Sequence, residues 1–97
     1  MTSVVKTPRR SEFEQAIDLL LFAREHRGRS FTSVCTACSI NILQRSEMLD
    51  MLRQKFLMIH RSPYGHEHIL GLTEEGSKWL KSAQHLLEVL QNPEVHT

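Results

Sequence analysis

Cys35-Thr-Ala-Cys38 sets two thiols at a spacing used by both zinc sites and thiol-disulfide centres. A structural zinc ion needs four ligands, usually from two such pairs. The sequence has no second C-x-x-C, and only His60, His66 and His68 could complete the set. A redox pair needs a thioredoxin-like βαβ setting, which this sequence lacks. On a helix the two cysteines fall on nearly the same face, so the pattern favours burial in a core, with a metal- or thiol-responsive site as the alternative. His66 and His68 share one face of a strand and could bind metal, but without a certain third ligand they fit the polar face of an exposed hairpin. No metal or other cofactor is expected. There is no serine or cysteine nucleophile in a recognisable motif, no glycine-rich phosphate loop and no paired carboxylates, so the chain does not read as an enzyme.

The 97 residues, 40% of them hydrophobic, suit one domain with a modest core. The leading "MTSVVKTPRR" carries positive charge with no apolar stretch behind it, and the longest apolar run, Leu19 to Ala23, is too short to span a bilayer. A soluble, cytoplasmic protein is expected, and two cysteines suit a reducing compartment. The net charge of +1 conceals an uneven distribution. Residues 24–61 carry Arg24, Arg27, Arg29, Arg45, Arg53, Lys55 and Arg61 against Glu25, Glu47 and Asp50, whereas residues 62–97 are acidic on balance. A polyanion would sit on the basic middle.

The elements that must position these residues can be read in turn. Ser11-Glu-Phe-Glu14 has the form of a capping box and predicts a helix from about Glu12 to Glu25, with an apolar stripe wide enough for burial on more than one side. Gly28 stops it, and Thr32 or Ser33 can cap a short second helix through about Ser39. Asn41, with Gln44 three places on, signals a helix through about Lys55 with Ile42, Leu49, Leu52 and Phe56 inward. The period then changes: Leu57–Arg61 and His66–Leu72 read as strands joined at Ser62-Pro-Tyr-Gly65. Thr73 caps a last helix to about Leu90, with Glu74 and Glu75 in its first turn, before Asn92-Pro93.

Three helices, a hairpin and a fourth helix follow the winged helix-turn-helix plan, a mainly α (α+β) fold with a two-stranded wing and a long C-terminal helix. Residues 32–58, "TSVCTACSINILQRSEMLDMLRQKFLM", resemble the turn and recognition helix of small archaeal winged-helix regulators and chromatin proteins, with Lys55-Phe-Leu-Met58 in place of their "K-G-L-I". "ILGLTEEG", Ile69 to Gly76, is similar to their strand and "L-T-E-K-G". Two positions depart from that pattern. Phe56 replaces a glycine, which leaves the helix end open, and Arg45 stands where the family has an inward apolar residue, which suggests a side chain turned outward to a ligand.

This plan gives the polar residues a role. A recognition helix enters the major groove with its first residues toward base edges, here Asn41, Gln44 and Arg45, with Ser39 nearby. Asn or Gln pairs bidentately with adenine and Arg with guanine. Thr32 and Ser33 can hold a phosphate beside Arg27 and Arg29, and Arg61 and Tyr64 lie at the wing. The expected partner is double-stranded DNA, with the protein acting as a chromosome-associated transcriptional regulator or architectural protein. A winged helix used as a protein-interaction module, or a metal- or thiol-responsive repressor, are the alternatives. The expected division is a flexible segment 1–10, a winged helix-turn-helix domain 11–72, a dimerisation helix 73–91 and a tail 92–97. The last helix is longer than its own domain needs, and Ala83, Leu86, Leu87 and Leu90 continue an apolar seam suited to a homodimer.

Overall fold

The computed structural model describes residues 11–91; the expected flexible segment 1–10 and tail 92–97 lie outside the described residues. Helix α1 (Glu12–Glu25) starts at the capping box, where the Ser11 hydroxyl accepts from the Glu14 amide and the Glu14 carboxylate accepts from the Ser11 amide, both at 3.1 Å. Its buried apolar positions, Ala16, Ile17, Leu19, Leu20 and Ala23, cover more than one side, as the width of the apolar stripe predicts.

Beyond Gly28, whose φ of +88° suits glycine, the chain turns against the sheet. The Gly28 amide donates to the Ile69 carbonyl and the Ile69 amide to that of Arg29, so this stretch forms a short third edge pairing Ser30 with His68. Helix α2 (Phe31–Ala37) is capped by Ser30, not Thr32 or Ser33: the Ser30 hydroxyl accepts from the Ser33 amide at 3.1 Å. It also stops two residues short of Ser39. Ser39 has φ +56°, the Ile40 amide donates to the Cys35 carbonyl, and the Ser39 amide donates to that of Thr36. These are the paired bonds of a Schellman stop, with Ser39 in the left-handed position that glycine usually takes. Ile40 follows it into the core.

Asn41 does cap, but it caps one isolated turn. Its side-chain oxygen accepts from the Leu43 and Gln44 amides, each at 3.0 Å, and its carbonyl accepts from the Arg45 amide. At Arg45 the backbone leaves helical geometry (φ −112°, ψ 27°), so regular helix α3 covers only Ser46–Met51 instead of the expected 41–55. Leu52–Phe56 then winds as a π-helical turn, closed by the Leu57 amide donating to the Leu52 carbonyl. The early break also reverses one core expectation: Ile40 is buried and Ile42 is exposed.

Strands β1 (Leu57–Arg61) and β2 (Glu67–Leu72) form the antiparallel hairpin, with a bulge where the register shifts between Met58 and Ile59. Helix α4 (Glu74–Gln91) starts from Thr73. The Thr73 amide donates to the Phe56 carbonyl at 2.9 Å, its hydroxyl donates to the Lys55 carbonyl at 2.7 Å and accepts from the Gly76 amide at 2.9 Å. The Phe56 ring lies 5.4 Å from that of Trp79, which also meets Phe13 edge-on at 5.9 Å. Leu19, Leu20, Leu49, Leu52, Ile69 and Leu80, all fully buried, join α1, α3, the π turn, β2 and α4 in one core.

A Cβ at Gly76 would overlap the Phe56 carbonyl oxygen and crowd the Phe56 Cα and Cβ. These are core atoms that cannot swing aside. Gly76→Ala should therefore lower stability by roughly 1–3 kcal/mol despite alanine's better helix propensity, a loss measurable as a shift in the urea unfolding midpoint at unchanged slope.

Candidate nucleic-acid interface

The Schellman stop and the Asn41 turn set α2 and α3 as a helix, a tight turn and a second helix. Thr36, Ala37, Ser39, Asn41, Ile42, Leu43 and Gln44 are exposed along the turn and the approach to α3. Arg45 is turned inward, a correction to the outward orientation its departure from the family pattern suggested. Its Nε donates to the buried Gln15 side chain at 2.7 Å, and its Nη1 lies 3.2 Å from Glu12. An ion-paired guanidinium thus fills the place of an apolar residue and ties the start of α3 to that of α1.

At the wing, Ser62-Pro-Tyr-Gly65 makes the turn, with Gly65 at φ +87° and Tyr64 87% exposed. Arg61 pairs with Glu67, which is also held at 3.1 Å by Arg53, and Arg53 bonds Asp50 in turn. The Arg61 hydrogen bond and the nearby Arg53 charge hold the Glu67 carboxyl below its usual range against the effect of burial. Arg53 also lies over the Phe31 ring at 4.9 Å, so one side chain links α2, the π turn and the wing. Arg27 and Arg29 are exposed between α1 and α2, with the Arg29 guanidinium 5.5 Å from the Phe22 ring centre.

No protein-family model and no curated protein matches the chain. Among solved structures it is similar to the transcriptional repressor CouR bound to a 23-mer DNA duplex, with a TM-score of 0.62 and 28% identity over 81% of this chain and 57% of that one. It is also similar to a MarR-family transcriptional regulator from Rhodococcus sp. RHA1, with a TM-score of 0.63 and 18% identity over 84% of this chain and 59% of that one. The fold is a winged helix-turn-helix. The chain spans less than two thirds of the length of either structure it resembles.

Within the winged helix-turn-helix, Thr32, Ser39, Asn41 and Gln44 are exposed on α2, the turn and the approach to α3, and Ser33 is half-buried. Arg27 and Arg29 lie on the connection from α1, and Arg61 and Tyr64 on the wing. Sequence reasoning missed Leu43, which is 87% exposed in the Asn41 turn. The cap at Asn41 gave no signal of it by itself, because the exposure of Leu43 belongs to a turn whose orientation is set when Ile40, and not Ile42, enters the core.

Along α4, Leu86 and Leu90 are exposed and Leu87 is half-buried, but Ala83 belongs to the chain's own core. The part of the expected seam open to a partner therefore begins at Leu86. Leu19, on α1, is fully buried, while Leu21 and Phe22 are half-buried. No helix among the described residues is long and apolar enough to cross a membrane.

Cys35 and Cys38 are buried free thiols, and the Cys38 S–H donates to the Asp18 carbonyl at 3.7 Å. Among the described residues no three histidine, cysteine or acidic side chains cluster as metal ligands. Burial, with the neighbouring Cys38, pushes the Cys35 thiol up to about 11. The thiolate is the reactive form, so at pH 8 Cys35 should react with iodoacetamide far more slowly in the native protein than in urea, and its native rate should climb toward pH 11. Mass spectrometry of labelled peptides measures this, and fast native labelling of Cys35 at pH 8 would contradict its buried setting.

Proposed function

We propose that the chain is a sequence-reading double-stranded DNA-binding protein, a homodimeric transcriptional regulator that works on the chromosome in the cytoplasm by binding and not by catalysis. The observation that carries this reading is the 28% identity, over 81% of the chain, to a structure described as a transcriptional repressor bound to a DNA duplex. The basic block of residues 24–61, which contains the whole helix-turn-helix, supports it. So does the likeness of residues 32–58 and 69–76 to small archaeal winged-helix regulators.

In this reading, residues 11–72 form the DNA-binding domain. Gln44 meets base edges from the capped turn just before α3, while Asn41, through the cap, and Arg45, through its contacts with Glu12 and Gln15, hold the segment that presents it. Thr32, Ser33 and Ser39 approach the phosphate backbone, Arg27 and Arg29 add charge beside them, and Arg61 and Tyr64 follow the flanking groove from the wing. Residues 73–91 serve as the dimerisation helix. Its 18 helical residues extend about 27 Å, and Leu86, Leu87 and Leu90 would meet a second copy beyond the part that Leu80 and Ala83 anchor in the core. Two reading helices about 34 Å apart would then match one turn of duplex.

Two measurements test these assignments. On a duplex selected from a random pool, Gln44→Ala should cost roughly 1–3 kcal/mol at the preferred site and relax base choice, whereas Arg29→Ala should weaken all duplexes alike and flatten the salt dependence by about one unit of slope. Normal binding by both variants refutes the groove assignment. In light scattering, Leu86→Glu combined with Leu90→Glu should reduce a dimer to the mass of one chain and lower affinity for a two-fold site far more than for a half-site. A folded variant that stays dimeric moves the interface off α4.

A further inference from the structure

The Asn41 cap limits what the start of α3 can offer a base. The Asn41 side-chain oxygen already accepts two amides, from Leu43 and Gln44, and so uses both of its lone pairs. A bidentate pairing with adenine needs that oxygen as an acceptor, so Asn41 is a positioning residue for the two that follow. Of those, Gln44 is exposed and polar, and Leu43 is 87% exposed. A lone exposed leucine is ordinary on a protein surface. This one is fixed on a capped turn, next to the amide side chain best placed to read an adenine. In the major groove an A·T pair presents the adenine N7 and N6 beside a thymine C5-methyl, a hydrogen-bonding edge next to an apolar one. Gln44 and Leu43 are complementary to those two features.

We propose that Leu43 is a specificity-determining residue that covers a thymine C5-methyl in the major groove, next to the adenine contacted by Gln44. The inference rests on the DNA-binding reading above and adds a base and an atom to it. One methyl withdrawn from water makes about a fourfold difference in affinity.

The test uses the full chain and a duplex that it retains from a random pool. Each thymine is replaced in turn by deoxyuridine, which removes the C5-methyl and leaves every hydrogen-bonding group in place. At one thymine per half-site, wild-type affinity should fall about fourfold. Leu43→Ala, at a surface position where folding is unaffected and circular dichroism can verify it, should bind the thymine and deoxyuridine duplexes equally. Equal wild-type affinity for every thymine and deoxyuridine pair overturns the proposal, and so does discrimination that persists in Leu43→Ala. If the wild-type chain retains no duplex at 50 mM salt, where phosphate contacts are strong, the DNA-binding reading itself fails and this inference falls with it.

Discussion

The junction of the π turn with α4 fixes the geometry on which the other elements depend. The chain leaves α3 through a π turn that carries an extra residue per winding, and this brings the Phe56 backbone to where Thr73 and Gly76 can meet it. Thr73 satisfies the Phe56 and Lys55 carbonyls and caps α4 with the same hydroxyl. Gly76 leaves room for the Phe56 carbonyl, and Trp79 packs at a tilt against the Phe56 ring. The orphan groups of two helix ends therefore satisfy each other in a space that admits no additional Cβ. The direction of α4, and with it the place of Leu86 and Leu90, follows from how α3 ends.

A second set of local constraints aims the opposite end of α3. Ser39 takes the left-handed position of the Schellman stop, so α2 ends early and Ile40 turns into the core. Asn41 then spends its side chain on the next turn, and Arg45 spends its guanidinium on Gln15 and Glu12. Two polar residues that look like readers thus act on the protein itself, and exposure passes to Leu43 and Gln44. The same economy holds at the wing, where Glu67 joins Arg61 to Arg53 and so couples hairpin to helix. Desolvating one carboxylate between two guanidiniums is tolerable because each brings a charge-assisted hydrogen bond.

The paired cysteines illustrate how spacing and context divide the work. C-x-x-C on a helix puts both thiols on one face whatever that face meets. Here it meets the core: Cys35 is fully buried, and Cys38 reaches the Asp18 carbonyl of α1. The sequence holds no second C-x-x-C, and in the fold burial raises the Cys35 thiol and depletes its nucleophilic form.

Several features set by a local rule over three or four residues were legible in the sequence alone. The capping box marked the start of α1 and Gly28 its end, Pro63 and Gly65 marked the wing turn, Thr73 marked the start of α4, and the order of elements implied the winged helix-turn-helix. Local bonding energy decides such features, and the side chains that supply it are adjacent in the chain. Tertiary packing decided the rest. Ser30 caps α2 because pairing with β2 sets the entry of the chain, Ile40 displaces Ile42 from the core because the Schellman stop rotates the segment, and Arg45 faces α1 because a buried glutamine and a glutamate await it. Each of these choices balances partners distant in sequence, and no periodicity within one segment encodes where such partners will lie.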